Sequence, residues 1–244
     1  MGWFAKPIRQ WIHLPVASVN YRAASGAASK GLKEKPHAAS REESDPTRLK
    51  RSRLNRQVGF ASGWAQREAR RIQKAITLLR PGIPGPGGVW ADVGCGDGIF
   101  TSALYALIQP DGEIYAVDRD QFALDALARN FAASYPSARV QTLRADFTRE
   151  LNLLALDGMV MANSLHFVPD KAPVLARLVR LLKPAGRLIV VEYNTSQGNS
   201  AVPYPLDDTS FIKLAGQVGL REARIIARIP SSFLEEMYAG IALA

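Results

Sequence analysis

The chain has 244 residues, 47% hydrophobic and 22% charged, which is ordinary for a soluble globular protein with one substantial core and perhaps room for a small appendage. Its net charge of +9 is unevenly placed: residues 1–80 carry 17 Lys/Arg against 5 Asp/Glu, and residues 81–244 carry 14 against 17, so the basicity belongs to the N-terminal segment. The single cysteine, Cys95, excludes an intramolecular disulfide and a multi-thiolate metal site, and no apolar run reaches the roughly 20 residues needed to cross a bilayer.

Residues 1–60 show no sustained helical or alternating period and are dense in Ala, Ser, Gly, Lys and Arg, with Pro36 and Pro46 as breakers. Such a segment buries too little apolar surface to offset its ordering entropy, so it reads as a basic, disordered extension. It is either a solvated tail or a contact with nucleic acid or a membrane surface, for which Trp3, Phe4, Trp11, Ile12 and Leu14 could form a short amphipathic turn. The first residues have no continuous apolar core followed by a cleavage site, which argues against a signal peptide. The absence of an acidic residue before Glu34 weakly resembles an organelle transit peptide, but the lone cysteine favours a reducing compartment, and a cytoplasmic location is the expectation.

A single domain is expected over 61–244. Ala65, Ala69, Ile72, Ile76 and Leu79 recur at helical spacing, and Pro81 stops that helix before a Pro/Gly-rich loop. Strand-like runs follow at Val89–Val93, Ile114–Asp118, Val140–Leu143, Gly158–Ala162 and Arg187–Glu192. Helical patterns lie between and after them at Phe100–Ile108, Gln121–Phe131, Lys171–Leu182 and Thr209–Val218, with a shorter helical or irregular connection from Thr148 to Ala155. Apolar strands alternating with helices imply an α/β, Rossmann-like three-layer sandwich around a mostly parallel sheet. The last two strand runs, Arg224–Ile229 and Phe233–Ile241, are separated only by Pro230, Ser231 and Ser232. A parallel crossover takes a dozen or more residues, so the seventh strand must be reversed against its neighbour.

The sequence Trp90-Ala91-Asp92-Val93-Gly94-Cys95-Gly96-Asp97-Gly98-Ile99-Phe100 follows a strand and opens a helix. Its alternate glycines let the backbone turn sharply and approach a ligand that a Cβ would push away. A dinucleotide fingerprint would place a glycine where Ile99 stands. The tighter loop suits a ligand without phosphates, whose amino-acid part carries an ammonium that Asp92 can help place. Asp118, at the end of the second strand, can accept ribose hydroxyls, or it is a solvated strand end with Arg119 and Asp120 as local partners. Asp146 can accept an adenine amino group with the Phe147 ring over the base, or it caps a short helix.

From Val89 to Ala242, roughly two-thirds of the chain, the sequence resembles class I S-adenosylmethionine-dependent methyltransferases. The matching pieces are A-D-V-G-C-G-D-G at 91–98, A-V-D at 116–118, A-D-F at 145–147, N-S-L-H-F-V-P-D at 163–170 and L-K-P-A-G-R-L-I-V-V-E at 182–192. The resemblance implies that Asp92, Gly94, Gly96 and Gly98 line the methionine and ribose of the cofactor, with Cys95, Arg119 and Asn163 beside them. It implies Asp118 on the ribose and Asp146 with Phe147 on the adenine. One departure is Ala185, where the family usually has a second glycine beside Gly186. N-S-L-H-F and V-P-Y-P-L also resemble a bacterial subgroup of undefined substrate, whose members begin near residue 65 of this sequence.

Methyl transfer from a sulfonium needs alignment and exclusion of water, and a general base only where the acceptor must lose a proton. Asn163, Ser164, Leu165 and His166 leave strand four where ligands bind in such sheets, and Glu192, Tyr193 and Asn194 leave strand five. His166 is the candidate base, with the alternative that it only packs over the cofactor. Asn163 and Tyr193 join it as catalytic candidates, and Tyr193 and Tyr204 could wall the acceptor pocket or anchor the core. Strand four lacks the Asn/Asp-Pro-Pro-Tyr/Phe ending of methylases acting on planar nitrogens. With a net-acidic catalytic region this favours a small-molecule acceptor over nucleic acid. The competing readings are an RNA or protein methylase docking through the basic tail, a non-catalytic S-adenosylmethionine-binding protein, and an NAD-dependent oxidoreductase.

Overall fold

The computed structural model describes residue 63, residues 65–153 and residues 155–244; the disordered basic extension and its aromatic turn, expected within 1–60, lie outside the described residues. Glu68–Ala244 forms one unit. Seven strands make a single sheet in the order β3-β2-β1-β4-β5-β7-β6. They are β1 (Val89–Val93), β2 (Glu113–Asp118), β3 (Arg139–Arg144), β4 (Leu156–Ala162), β5 (Leu182–Tyr193), β6 (Arg221–Pro230) and β7 (Glu236–Leu243). The first five are mutually parallel, and β7 runs antiparallel to both β5 and β6. The reversed strand expected from the short final connection is therefore present, inserted between β5 and β6 rather than lying at the sheet edge.

Helices cover both faces of this sheet: α1 (65–79), α2 (Ile99–Ile108), α3 (Gln121–Ser134), α4 (Lys171–Leu178) and α5 (Asp208–Gln217). Successive strand residues point to opposite faces, and β1 shows the consequence. Trp90 packs with Leu78 and Leu79 of α1 and Leu104 and Ile108 of α2. Ala91 and Val93 face the other layer, with Leu175 of α4 and Phe211 and Leu214 of α5. Leu124, Leu127 and Phe131 of α3 close a third cluster on Ala116 and Cys95.

Register is what positions the site. Asp92 pairs with Ala116 and Val160, and Ala162 pairs with Val191, so the carboxyl ends of β1, β2, β4 and β5 reach the same edge. The loops leaving those ends meet there.

Four expectations differ in detail, one being that the final strand begins at Glu236 and leaves Phe233 in the connection before it. The buried stripe of α1 is Ala75, Leu78 and Leu79, whereas Ala69 is exposed, because only the C-terminal half of the helix lies on the Trp90 side of the core. The helix expected to end at Leu182 gives way to a 3₁₀ turn at Val179–Leu181, and β5 already begins at Leu182. The connection after Asp146 is irregular, with no helix among the described residues of 148–155.

Ala185 lies in the turn at the start of β5 with φ 62°, and its amide donates to the Ala244 carbonyl at 3.1 Å. Left-handed backbone costs a residue bearing a Cβ about 1–2 kcal/mol, a strain that glycine would relieve. Against the entropy glycine adds to the unfolded chain, Ala185→Gly is expected to stabilise the fold by about 0.5–1 kcal/mol. Urea unfolding checks this: the midpoint should rise at unchanged m-value, and an unmoved or lower midpoint contradicts it.

Candidate functional site

The loop after β1 is folded back on β2 by its own backbone. The Gly94 and Cys95 amides donate to the Val117 carbonyl at 2.8 and 3.0 Å, and the Gly98 amide donates to the Cys95 carbonyl at 3.0 Å. Gly94 and Gly96 both adopt left-handed φ, 80° and 50°. A Cβ on Gly94 would sit 2.6 Å from the Ser164 Cβ and 3.6 Å from Cε1 of Phe147, so the loops after β1, β3 and β4 converge at that glycine. Nothing lies within 4 Å of a Cβ built on Gly96, so this part of the loop presents open backbone.

Asp118 ties loop to strand: its Oδ2 accepts from the Gly96 amide at 2.8 Å and its Oδ1 from the Asp120 amide at 2.9 Å. Each oxygen keeps a second lone pair. Arg119 beside it is exposed. The Cys95 thiol is buried, and burial followed by the charges of Asp92 and Asp118 pushes its pKa up, so it stays protonated and contributes backbone rather than thiolate chemistry.

Asp92 is 1% exposed. Thr101, at the start of α2, donates its hydroxyl to Asp92 Oδ2 at 2.6 Å, while Asp92 Oδ1 is buried with no partner. Desolvation is the main reason its pKa rises from 3.8 to about 7; the Thr101 bond opposes it, and the Asp118 and Asp97 charges add to it. Asn163, just past β4, holds a left-handed φ of 51°, and its amide donates to Val191 at 2.8 Å. Its side-chain Oδ1 is likewise buried and unpartnered. Two orphaned acceptors at the ends of neighbouring strands are an unusual expense in a folded protein and call for donors. Ser164 follows and donates its hydroxyl to the Val93 carbonyl at 3.0 Å.

Asp146 Oδ1 accepts from the Thr148 amide at 2.9 Å and the Thr148 hydroxyl at 2.7 Å, with Arg149 at 3.9 Å. The Thr148 bonds hold its carboxyl below the usual range. This is a turn rather than a helix cap, and Oδ2, paired only with Arg149 at 3.9 Å, makes no hydrogen bond among the described residues.

At the end of β5, His166 and Glu192 form a buried pair: Nδ1 lies 2.6 Å from Oε2, and the His166 amide donates to Oε1 at 3.2 Å. Aromatic rings surround it, with Phe167 at 4.3 Å and Tyr193 at 6.5 Å between centroids, and Phe233 of the β6–β7 connection 5.3 Å from Tyr193. Phe167 and Phe233 are more than half exposed. Burial, then the Glu192 charge, pushes the Tyr193 pKa up. Tyr204 is exposed, and its amide donates to the His166 carbonyl at 3.0 Å. Beyond Tyr193 lies a groove of about 510 Å³ lined by Asn194, Thr195, Gln197, Asn199, Leu234 and Glu235.

The structure thus brings Asp92, the three glycines, Asp118, Phe147, Asn163, His166 and Tyr193 to one edge of the sheet. Sequence reasoning gave no role to Thr101, Ser164 or Glu192. Thr101 had a signal, a hydroxyl in the first turn of the helix after a buried carboxylate. For the other two, only tertiary contact reveals their part.

Comparison with known proteins gives a consistent picture. Residues 91–188 match the family model described as a methyltransferase domain. The chain is 28% identical over 156 residues to the ubiquinone/menaquinone biosynthesis C-methyltransferase UbiE of Ectopseudomonas mendocina, covering 63% of this chain and 60% of that protein. It is 33% identical over 109 residues to the demethylmenaquinone methyltransferase of Symbiobacterium thermophilum, covering 44% of this chain and 43% of the relative. The match therefore spans less than two-thirds of either relative. Among solved structures, the fold resembles a SAM-dependent methyltransferase from Aquifex aeolicus, with TM-score 0.55, 18% identity, and 68% of this chain and 86% of that one covered.

The buried carboxylate has a consequence in the ligand-free protein. Its folded pKa of about 7 lies above the ordinary 3.8, so the folded state keeps a proton that the unfolded chain releases. Stability from this group is fully present below about pH 4 and is lost as pH rises to about 7, by on the order of 4 kcal/mol. Asp92→Asn is expected to flatten that fall, measured by urea unfolding at pH 5 and pH 8; an equal fall in both proteins would contradict the assignment.

Proposed function

We propose that the chain is a class I S-adenosylmethionine-dependent methyltransferase that transfers a methyl group from this cofactor to a small-molecule acceptor of the quinone type, a reading supported by the methyltransferase-domain match and the similarity to quinone methyltransferases. The observation that carries the cofactor half is the pair of orphaned buried acceptors, Asp92 Oδ1 and Asn163 Oδ1, beside a glycine loop with open backbone at Gly96. An ammonium supplies the donors these atoms need, and its positive charge favours the ionised form of Asp92. The spare lone pairs of Asp118 suit ribose hydroxyls, and Asp146 Oδ2 with the Phe147 ring suits the adenine. Gly94, Cys95 and Gly98 shape the loop, with Arg119 at its rim. When bound, S-adenosylmethionine supplies a methyl group already activated on a sulfonium.

The residues of this chain then orient an acceptor and keep water out. His166 is the proton acceptor, Asn163 helps fix the methionine part, and Tyr193 with Phe167 and Phe233 walls an aromatic mouth that suits a planar ring. Support for the acceptor class comes from this mouth and from the names of the relatives, two of which act in quinone biosynthesis or on demethylmenaquinone. Residues 81–244, with 14 basic against 17 acidic side chains, offer little to a nucleic acid. Among the described residues no helix is long and apolar enough to cross a membrane, and the single cysteine fits a cytoplasmic setting.

The test is transfer of labelled methyl from S-adenosylmethionine to 1,4-naphthoquinol, with total RNA as the competing acceptor. Label in the quinol, retained after deletion of residues 1–60 and insensitive to salt, is the expected result. Label in RNA that disappears with the deletion or with salt would replace this reading by a tail-docked RNA methylase.

A further inference from the structure

His166 and Glu192 are buried together, at 3% and 1% exposure, on two different strands' exits. Both carboxylate oxygens of Glu192 are engaged by this one residue, Oε2 by the ring and Oε1 by the backbone amide. An ionised carboxylate only accepts, so with Glu192 ionised the proton in the 2.6 Å contact sits on Nδ1 of the imidazole. Nε2 then carries the free lone pair, and among the described residues it has no hydrogen-bond partner. The site's sealed and unpartnered side-chain atoms are Asp92 Oδ1 and Asn163 Oδ1, and Nε2 is not one of them.

Resting on the methyl-transfer reading, we infer that Glu192 is a positioning residue: it holds His166 as the Nδ1–H tautomer, so that Nε2 takes the proton from a hydroxyl of the acceptor. An imidazole free to choose would divide between tautomers and rotate; a fixed carboxylate removes both freedoms and stabilises the imidazolium when it forms. The acceptor's O–H bond breaks and its proton joins Nε2. The freed electron pair on oxygen is delocalised onto the neighbouring ring carbon, which forms the bond to the methyl carbon and then releases its hydrogen as a proton to restore the aromatic ring. The pair of the broken carbon–sulfur bond stays on sulfur as a neutral thioether. The proton on Nε2 passes to water before the next turnover.

The position of the pair supports this use. His166 is two residues past Ser164, which packs at the Gly94 turn, so the base stands beside the loop assigned to the cofactor. Its rim is the aromatic mouth of Phe167, Tyr193 and Phe233. The charged and titratable groups around the carboxylate are Lys171 of α4, Tyr193 of β5 and Tyr238 of β7, each of which feels the Glu192 charge. Lys171 is anchored by donating to the Val168 carbonyl at 2.9 Å, which supplies a nearby positive charge for the buried carboxylate. A purely structural pair would need neither a fixed tautomer nor a ring nitrogen without a partner among the described residues.

The chain has three histidines, so its imidazole nitrogen spectrum is simple, and His166→Gln identifies the relevant signals. In the cofactor-free, ¹⁵N-labelled full chain, the expected result is a single Nδ1–H tautomer for His166, becoming mixed or reversed in Glu192→Gln. With S-adenosylmethionine and 1,4-naphthoquinol, kcat of Glu192→Gln should fall about 10²-fold or more with KM little changed, and Glu192→Asp should recover part of it. An Nε2–H tautomer in the wild type, or unchanged kcat in a folded Glu192→Gln, overturns the proposal. If Glu192→Gln fails to fold, the wild-type tautomer alone decides. An Nδ1–H tautomer in a protein that does not bind S-adenosylmethionine overturns the role of the base together with the methyl-transfer reading, and leaves Glu192's hold on the ring intact.

Discussion

A carboxylate held almost out of water at the end of β1 sets the terms for the rest of the site. Asp92 has one oxygen bonded to Thr101 and the other bonded to nothing, in a place where burial above all, helped by the nearby Asp118 and Asp97 charges, raises its pKa to about 7. A fold seeking only stability would replace it with an apolar side chain of similar size, since an unsatisfied buried acceptor costs about 1–3 kcal/mol. The proposed ligand would bring the positive charge and hydrogen-bond donors that this place lacks, and the second orphan, Asn163 Oδ1, would take donors from it in the same way. The cost of burying these acceptors and the affinity for the cofactor are, in this reading, one quantity seen from two sides.

The parallel sheet makes such a site possible by aligning strand ends. Because β1 pairs with β2 and β4, and β4 with β5, four chain exits converge without any one loop being long. The exits are then locked by close contacts: Gly94 against Ser164 with no room for a Cβ, Asp118 on the Gly96 amide, and His166 on Glu192. The reversed β7 brings the β6–β7 connection, with Phe233, to the same edge as Tyr193. An all-parallel closure would have carried that connection to the far side. The strand order and the Ile99 departure also separate this fold from the dinucleotide-binding arrangement, whose sheet is parallel throughout.

What could be read from the sequence was whatever depends on local spacing. The glycines at 94, 96 and 98 announce a tight strand–helix turn, and three residues between two strand runs force a reversal. The face of α1 was misread in its first half because Ala65 and Ala69 fit the helical period while carrying too little apolar surface to decide burial. Asp146 could be a cap or a ligand group; the structure shows a turn built on Thr148 that leaves one oxygen over. The strain at Ala185 has no sequence signature beyond a missing glycine, because positive φ is imposed by the pairing of that turn with Ala244. Glu192 looked like the end of an apolar strand, and only the meeting of two loops reveals its partner.

The central claim is that the loop after β1 and the carboxylates around it hold S-adenosylmethionine. Calorimetric titration of S-adenosylmethionine, S-adenosylhomocysteine and NAD into the purified chain, with Asp118→Ala as control, tests it most directly. The account requires binding of the first two, lost in the folded variant, with no binding of NAD. Absence of binding by either sulfur compound to a folded protein would contradict it, and binding of NAD alone would point to a dehydrogenase instead.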